Sequence, residues 1–155
     1  ATTEIYTLSL HDALPISYLA FSSFVMHGLA QLPPAQGIAA MQSINRSAVR
    51  PSFMTMLFGP AVVCVGIIVW AIREWERPDA PWSLAGALVY LSGSIVVTAL
   101  RNVPLNEALA IRDPNAADAN DMWRCYLRRW TVWNHVRAIA SVAATVVLII
   151  ALVIT

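Results

Sequence analysis

Residues 53–72 read FMTMLFGPAVVCVGIIVWAI, twenty positions without a charge. At 1.5 Å of rise per helical residue, about 20 apolar residues cross the roughly 30 Å hydrocarbon core of a bilayer. Backbone N–H and C=O groups in lipid must be satisfied internally, and a helix does this within one segment. This run therefore commits the chain to a membrane. Residues 82–100 and 138–155 are two further apolar runs. Composition agrees: 58% of residues are hydrophobic and 12% charged, against about 25% charged in a soluble domain. Mean hydropathy is +0.62.

The expected fold is all-α, an integral membrane four-helix bundle in one domain. The spans fall at approximately 17–32, 53–72, 82–101 and 133–154. The first is short for a crossing. Residues 1–16 (ATTEIYTLSLHDALPI) read as a translated sequencing-library adapter joined in frame, with no basic region like that of a signal peptide. They are expected to be an artefact that truncates the first span, leaving 17–155 as the domain. Residues 35–49 follow Pro33-Pro34 and suit a short interfacial helix. Residues 122–155 read as one long helical pattern, so a long polar extension precedes the fourth span.

The formal net charge of +1 leaves no basic stripe for phosphates, so nucleic acid is not an expected partner. The bilayer is. All ten basic residues are Arg. Arg46, Arg50, Arg101, Arg112, Arg124, Arg128 and Arg129 fall in the loops after spans one and three, and Arg73 and Arg77 after span two. The positive-inside rule makes the first group cytoplasmic and sets both chain ends outside. Cys64 and Cys125 lie far apart and read as free thiols.

Three polar clusters are expected at the arginine-rich end of the bundle: Met41 to Arg46 including Asn45, Arg101-Asn102 with Asn106, and the run from Trp130 to Arg137. Asn102 and Asn106 are spaced i, i+4 and share a face if helical. Trp130, Trp133, Asn134 and Arg137 fall on one helical face, with His135 pointing elsewhere. Pro104 suits the first turn of a new helix. Amides and a guanidinium at membrane depth are costly and should face the bundle interior. They either tie helices together or line a pocket. His27 and His135 lack paired ligand spacing, so no haem, copper or other metal site is expected. No phosphate loop or hydrolytic triad is visible.

The blocks FVMHGL, GIAAMQSINR, TALRNVPLN and WTVWNHVR together resemble a family of small bacterial and fungal four-span membrane proteins that includes the anthrone oxygenases. The resemblance implies a multi-pass protein of the bacterial inner membrane. It also implies oxidation of a flat aromatic substrate, an anthrone, by O₂ without a cofactor. Such chemistry needs a base and donors for a developing oxyanion. His135 is then the candidate base, with Arg137 and Asn134 as catalytic donors. Asn45, Asn102 and Asn106 would bind substrate, and Trp130 and Trp133 would stack on its rings. The rival reading is a non-enzymatic membrane binding or assembly protein whose Asn and Arg clusters only pack helices. A transporter fits poorly, because no carboxylate lies within a span.

Overall fold

The computed structural model describes residues 15–154, so the adapter reading of the chain's first residues falls almost wholly outside it. Among the described residues all regular structure is helical. Helix α1 covers residues 15–30, α2 Pro34–Ala48, α3 Pro51–Arg73, α4 Ala80–Ala110 and α5 Ala119–Ile154. Proline marks the starts. Pro34, Pro51 and Pro81 each occupy a first turn, where the missing N–H has no intrahelical acceptor to lose.

Helices α3, α4 and α5 are long and apolar enough to cross a membrane. Their outer faces carry exposed aliphatic side chains, among them Val62, Ile72, Ile139 and Val153. A soluble bundle would turn such residues inward; here they match the solvent that surrounds them. Over its described residues α1 is shorter than a bilayer crossing.

The α4–α5 pair forms the most extensive contact, and small residues make it close. A Cβ on Gly86 would lie 2.7 Å from Leu148, and one on Gly93 would collide with Ala140. Lipid tails are as apolar as Leu, so association in a membrane depends on such fit and on hydrogen bonds rather than on hydrophobic transfer. Helix α3 packs along α4, while α1 and α2 rest on α5.

One boundary differs from the sequence expectation. The third span does not stop near Arg101: α4 continues through Pro104 to Ala110. Two π-helical stretches, Leu91–Val96 and Thr98–Asn102, precede the proline. In the second, the Val103 N–H reaches back five residues to the Thr98 carbonyl. This re-registers the ladder just before the residue that cannot donate. Pro104 thus begins an α segment, as its position predicts, without an intervening loop. The polar extension before the last span is helical and continuous with it, as its pattern predicts, giving a 36-residue α5 about 54 Å long.

Helix α2 closes the arginine-rich end. Ile38 and Met41 are buried there with Leu109, Trp123 and Trp130. Gly37 admits the Trp123 indole, which would sit 2.8 Å from any added Cβ. The Gln42 amide donates to the carbonyls of Leu109 (2.9 Å) and Arg112 (3.0 Å). The Leu109 carbonyl also accepts from the Arg112 N–H, at the C-terminal end of α4, where helical acceptors lack their full set of partners. Gln42 therefore stitches α2 to α4.

Candidate functional site

A cavity of about 640 Å³ opens beneath α2, with walls from all five helices. Its floor is a stripe along α5. Tyr126, Trp130, Asn134, Arg137 and Ser141 are all buried and recur at steps of four, four, three and four, one face of a helix. Trp130, Asn134 and Arg137 line the cavity directly, and Tyr18, Phe21, Asn45, Thr98, Asn102 and Asn106 complete much of its wall.

Arg137 is the centre of the arrangement. It is 7% exposed and sits at the middle of α5. Its guanidinium donates to Thr98 Oγ1 at 3.1 Å and to Asn134 Oδ1. Its charge lies 4.4 Å from the Tyr18 ring centroid and 5.4 Å from that of Trp130, both within cation–π range. Every one of these partners is neutral. The ion pairs among the described residues are Arg77–Asp79, Arg112–Asp118 and Arg124–Asp121, all elsewhere. Withdrawing a guanidinium from water costs several kcal/mol, and no carboxylate offsets it here. The Nε atom is buried without a partner.

The amides around it are partly satisfied. Asn134 donates to the Tyr18 carbonyl at 2.7 Å and to Ser22 Oγ at 2.6 Å, which locks α1 to α5. Asn106 Oδ1 accepts from Tyr126 Oη and from Trp130 Nε1, both at 2.9 Å. Asn102 donates to the Trp130 carbonyl at 3.4 Å, but its Oδ1 has no partner. The Asn45 Nδ2 atom is also buried and unpartnered. Buried polar atoms are nearly always paired, so the Asn45 donor marks where a ligand oxygen or a water would fit, and the Asn102 acceptor where a hydroxyl or a water would.

The π-helical turns belong to the same site. One lies at Phe21–Val25 in α1 and two at Leu91–Asn102 in α4. They present Phe21, Thr98 and Asn102 to the cavity, and Ser94 to the Tyr18 hydroxyl at 3.1 Å. Such turns cluster at functional sites because each re-aims the side chains after it.

Six of the eight expected site residues meet in this cavity: Asn45, Asn102, Asn106, Trp130, Asn134 and Arg137. Two do not. His135 is exposed and lines a shallow groove with Leu19, Ala138, Ile139, Val142 and Ala143 on the lipid side. One residue along a helix is a turn of about 100°, so Asn134 facing inward carries His135 out. Trp133 is half-buried under Arg101, whose guanidinium lies 4.8 Å from the indole centroid. His27 is exposed on α1. Among the described residues no three His, Cys, Asp or Glu side chains come together as metal ligands.

Sequence reasoning missed Tyr18, Phe21, Thr98, Tyr126 and Glu107. Tyr126 was within reach, since it lies four residues before Trp130 on the same stripe. The others depend on the π-turns or on the approach of α1, which leave no local signal.

Comparison with known proteins gives one match. A sequence model of the anthrone oxygenase family matches residues 53–147, more than half of the chain. The matched region includes Thr98, Asn102, Asn106, Trp130, Asn134 and Arg137, whereas α1 and α2 lie outside it. No curated protein and no solved structure matches the chain.

Proposed function

The chain belongs to the anthrone oxygenase family, and we propose that it is a membrane-embedded, cofactor-independent oxygenase acting on an anthrone-like polycyclic ketone. One observation carries this reading: a buried guanidinium with only neutral partners faces a cavity walled by aromatic rings. Its volume is in the range that holds small organic ligands, roughly 300–1,000 Å³. The rings of Phe21 and Trp130, tilted 49° to one another at 5.7 Å, offer apolar surface to a flat polycycle.

The chemistry follows from the substrate. An anthrone carries a CH₂ between two aryl rings, opposite a ketone. Loss of one proton gives an aromatic enolate with its charge on the ketone oxygen. Arg137, together with the unpaired Asn45 Nδ2, supplies donors for such an oxyanion in a water-poor site. The enolate passes one electron to O₂, and the carbon radical and superoxide combine as a C–O bond. The peroxide takes up a proton. The remaining C–H proton then leaves while the O–O bond breaks, giving the second ketone and water. One O₂ is consumed for each quinone formed, and all electrons come from the substrate.

The first proton needs an acceptor. No imidazole lines the cavity, so His135 is not proposed for this role. Among the described residues Glu107 is the carboxylate on the wall, exposed toward the opening. The proton leaves toward it or toward water at the mouth. The arginine-rich end, with Arg46, Arg50, Arg101, Arg112, Arg124, Arg128 and Arg129, is assigned to the cytoplasmic side of a bacterial inner membrane.

The test is O₂ uptake by purified protein in nanodiscs on adding an anthrone, with quinone followed by absorbance. Support would be uptake in equal amount to quinone, insensitive to chelators and lost in Arg137→Gln. Anthrone oxidation no faster than in empty nanodiscs would favour the rival reading, a binding or assembly protein. The satisfied helix-to-helix bonds of Asn134 and Asn106 are what that reading rests on.

A further inference from the structure

We infer that the cavity holds its ligand as a monoanion, a phenolate or enolate conjugated to a flat aromatic system, with Arg137 as the counter-charge. The inference names the ligand's charge state. It deepens the oxygenase reading but is measurable without turnover.

A buried guanidinium is normally matched by a carboxylate. Here the shell consists of a threonine hydroxyl, an asparagine carbonyl and two aromatic faces. These orient the group without neutralising it. The titratable and charged groups that line the cavity come from four helices: Tyr18 on α1, Arg46 on α2, Glu107 on α4 and Arg137 on α5. Helix α3 contributes Phe53, Met54 and Leu57, none of which ionises. Tyr126, beside Asn106 on α5, adds a phenol already donating its proton. Glu107 makes no ion pair with Arg137, and it lies at the exposed mouth. The interior is therefore a positive site in an apolar shell, with its guanidinium Nε buried and unpaired.

Two opposing effects act on an acidic hydroxyl that enters. Loss of water favours its neutral form, whereas an adjacent cation favours its anion. With a full positive charge unmatched by any carboxylate, the second effect wins. The aromatic surround selects a flat, delocalised anion over an alkyl carboxylate, because charge spread over rings loses less on leaving water. An anion bound this way is also the electron-rich form from which O₂ can take an electron.

The probe is 1-hydroxyanthraquinone, whose visible absorbance changes when its hydroxyl ionises and which has no CH₂ to oxidise. It is titrated with pH in nanodiscs containing the wild-type protein and in empty nanodiscs. The expected midpoint falls by about one to three pH units on binding, the range for an acid beside an opposite charge. Arg137→Gln should bind the probe with that fall abolished. Arg137→Lys keeps the charge and should retain part of it. A midpoint unchanged or raised in the wild type overturns the inference, and this comparison needs no variant to fold. Displacement of the probe by a long-chain alkyl carboxylate at equal concentration would overturn the aromatic preference. A lowered midpoint without O₂ uptake on anthrone leaves the inference standing and removes the oxygenase. Uptake without a lowered midpoint does the reverse.

Discussion

Asn134 holds Arg137 from three residues away on the same helix, accepting a guanidinium N–H at Oδ1 while its own amide donates to the Tyr18 carbonyl and to Ser22. One side chain thus fixes the cation and the neighbouring helix together. The exposed amide dipole could not do this in water, where both groups would find solvent. In the bundle interior each bond has no competitor.

Asn134→Ala should therefore lower stability and loosen the site at once. Each lost hydrogen bond contributes about 1 kcal/mol, so the variant should lose roughly 1–3 kcal/mol. Arg137 keeps Thr98 and the two ring faces, so affinity for a planar anionic ligand should fall about tenfold rather than vanish, near 1.4 kcal/mol. Thermal unfolding in detergent and a binding titration on the same sample separate the two losses. Unchanged affinity with lowered stability would mean that Asn134 only packs helices.

His135 makes the opposite forecast. It lies in the lipid-side groove with Leu19 and Ala138 and is not among the residues lining the cavity. His135→Ala should leave anthrone turnover and its pH profile within about twofold of wild type, as for a surface change near ±0.5 kcal/mol. A large drop in rate at constant stability would restore the histidine as the base.

The contrast between these neighbours shows what was legible beforehand. The three long spans and α2 could be read because apolar runs and prolines act locally. Asn102, Asn106, Trp130, Asn134 and Arg137 could be read because polar groups at depth must face inward. The role given to His135 followed its chemistry rather than its 100° offset. The π-turns at Phe21–Val25 and Leu91–Asn102 could not be anticipated, since they reflect how α1 and α4 fit α5 rather than any local propensity. The second of them contains Thr98, which accepts from the Arg137 guanidinium.

Gly37 tests whether α2 is a fitted roof. An added Cβ would lie 2.8 Å from the Trp123 indole, a buried ring packed at 5.6 Å on Tyr126. Neither ring can yield without moving the wall below. Gly37→Ala should cost about 1–3 kcal/mol, the usual penalty for overpacking, and weaken ligand binding through the displaced α2. Gly66→Ala is the control, because nothing lies within 4 Å of its added carbon and alanine favours a helix by up to about 1 kcal/mol. The same melting measurement should rank them on opposite sides of wild type.

Orientation can be tested through the two cysteines. Cys125 is exposed on α5, beside Arg124 and near Arg128 and Arg129, while Cys64 is fully buried in α3. A membrane-impermeant maleimide should therefore report Cys125 alone. If the arginine-rich end is cytoplasmic, as proposed from the excess of Arg there, intact spheroplasts should remain unlabelled and inverted vesicles should label at Cys125. Cys125→Ser should abolish that signal, and Cys64→Ser should leave it unchanged. Labelling in intact spheroplasts would invert the topology and place the cavity mouth, with Glu107 and Arg46, on the outer face. A ligand made in the cytoplasm would then have to cross the bilayer before reaching Arg137.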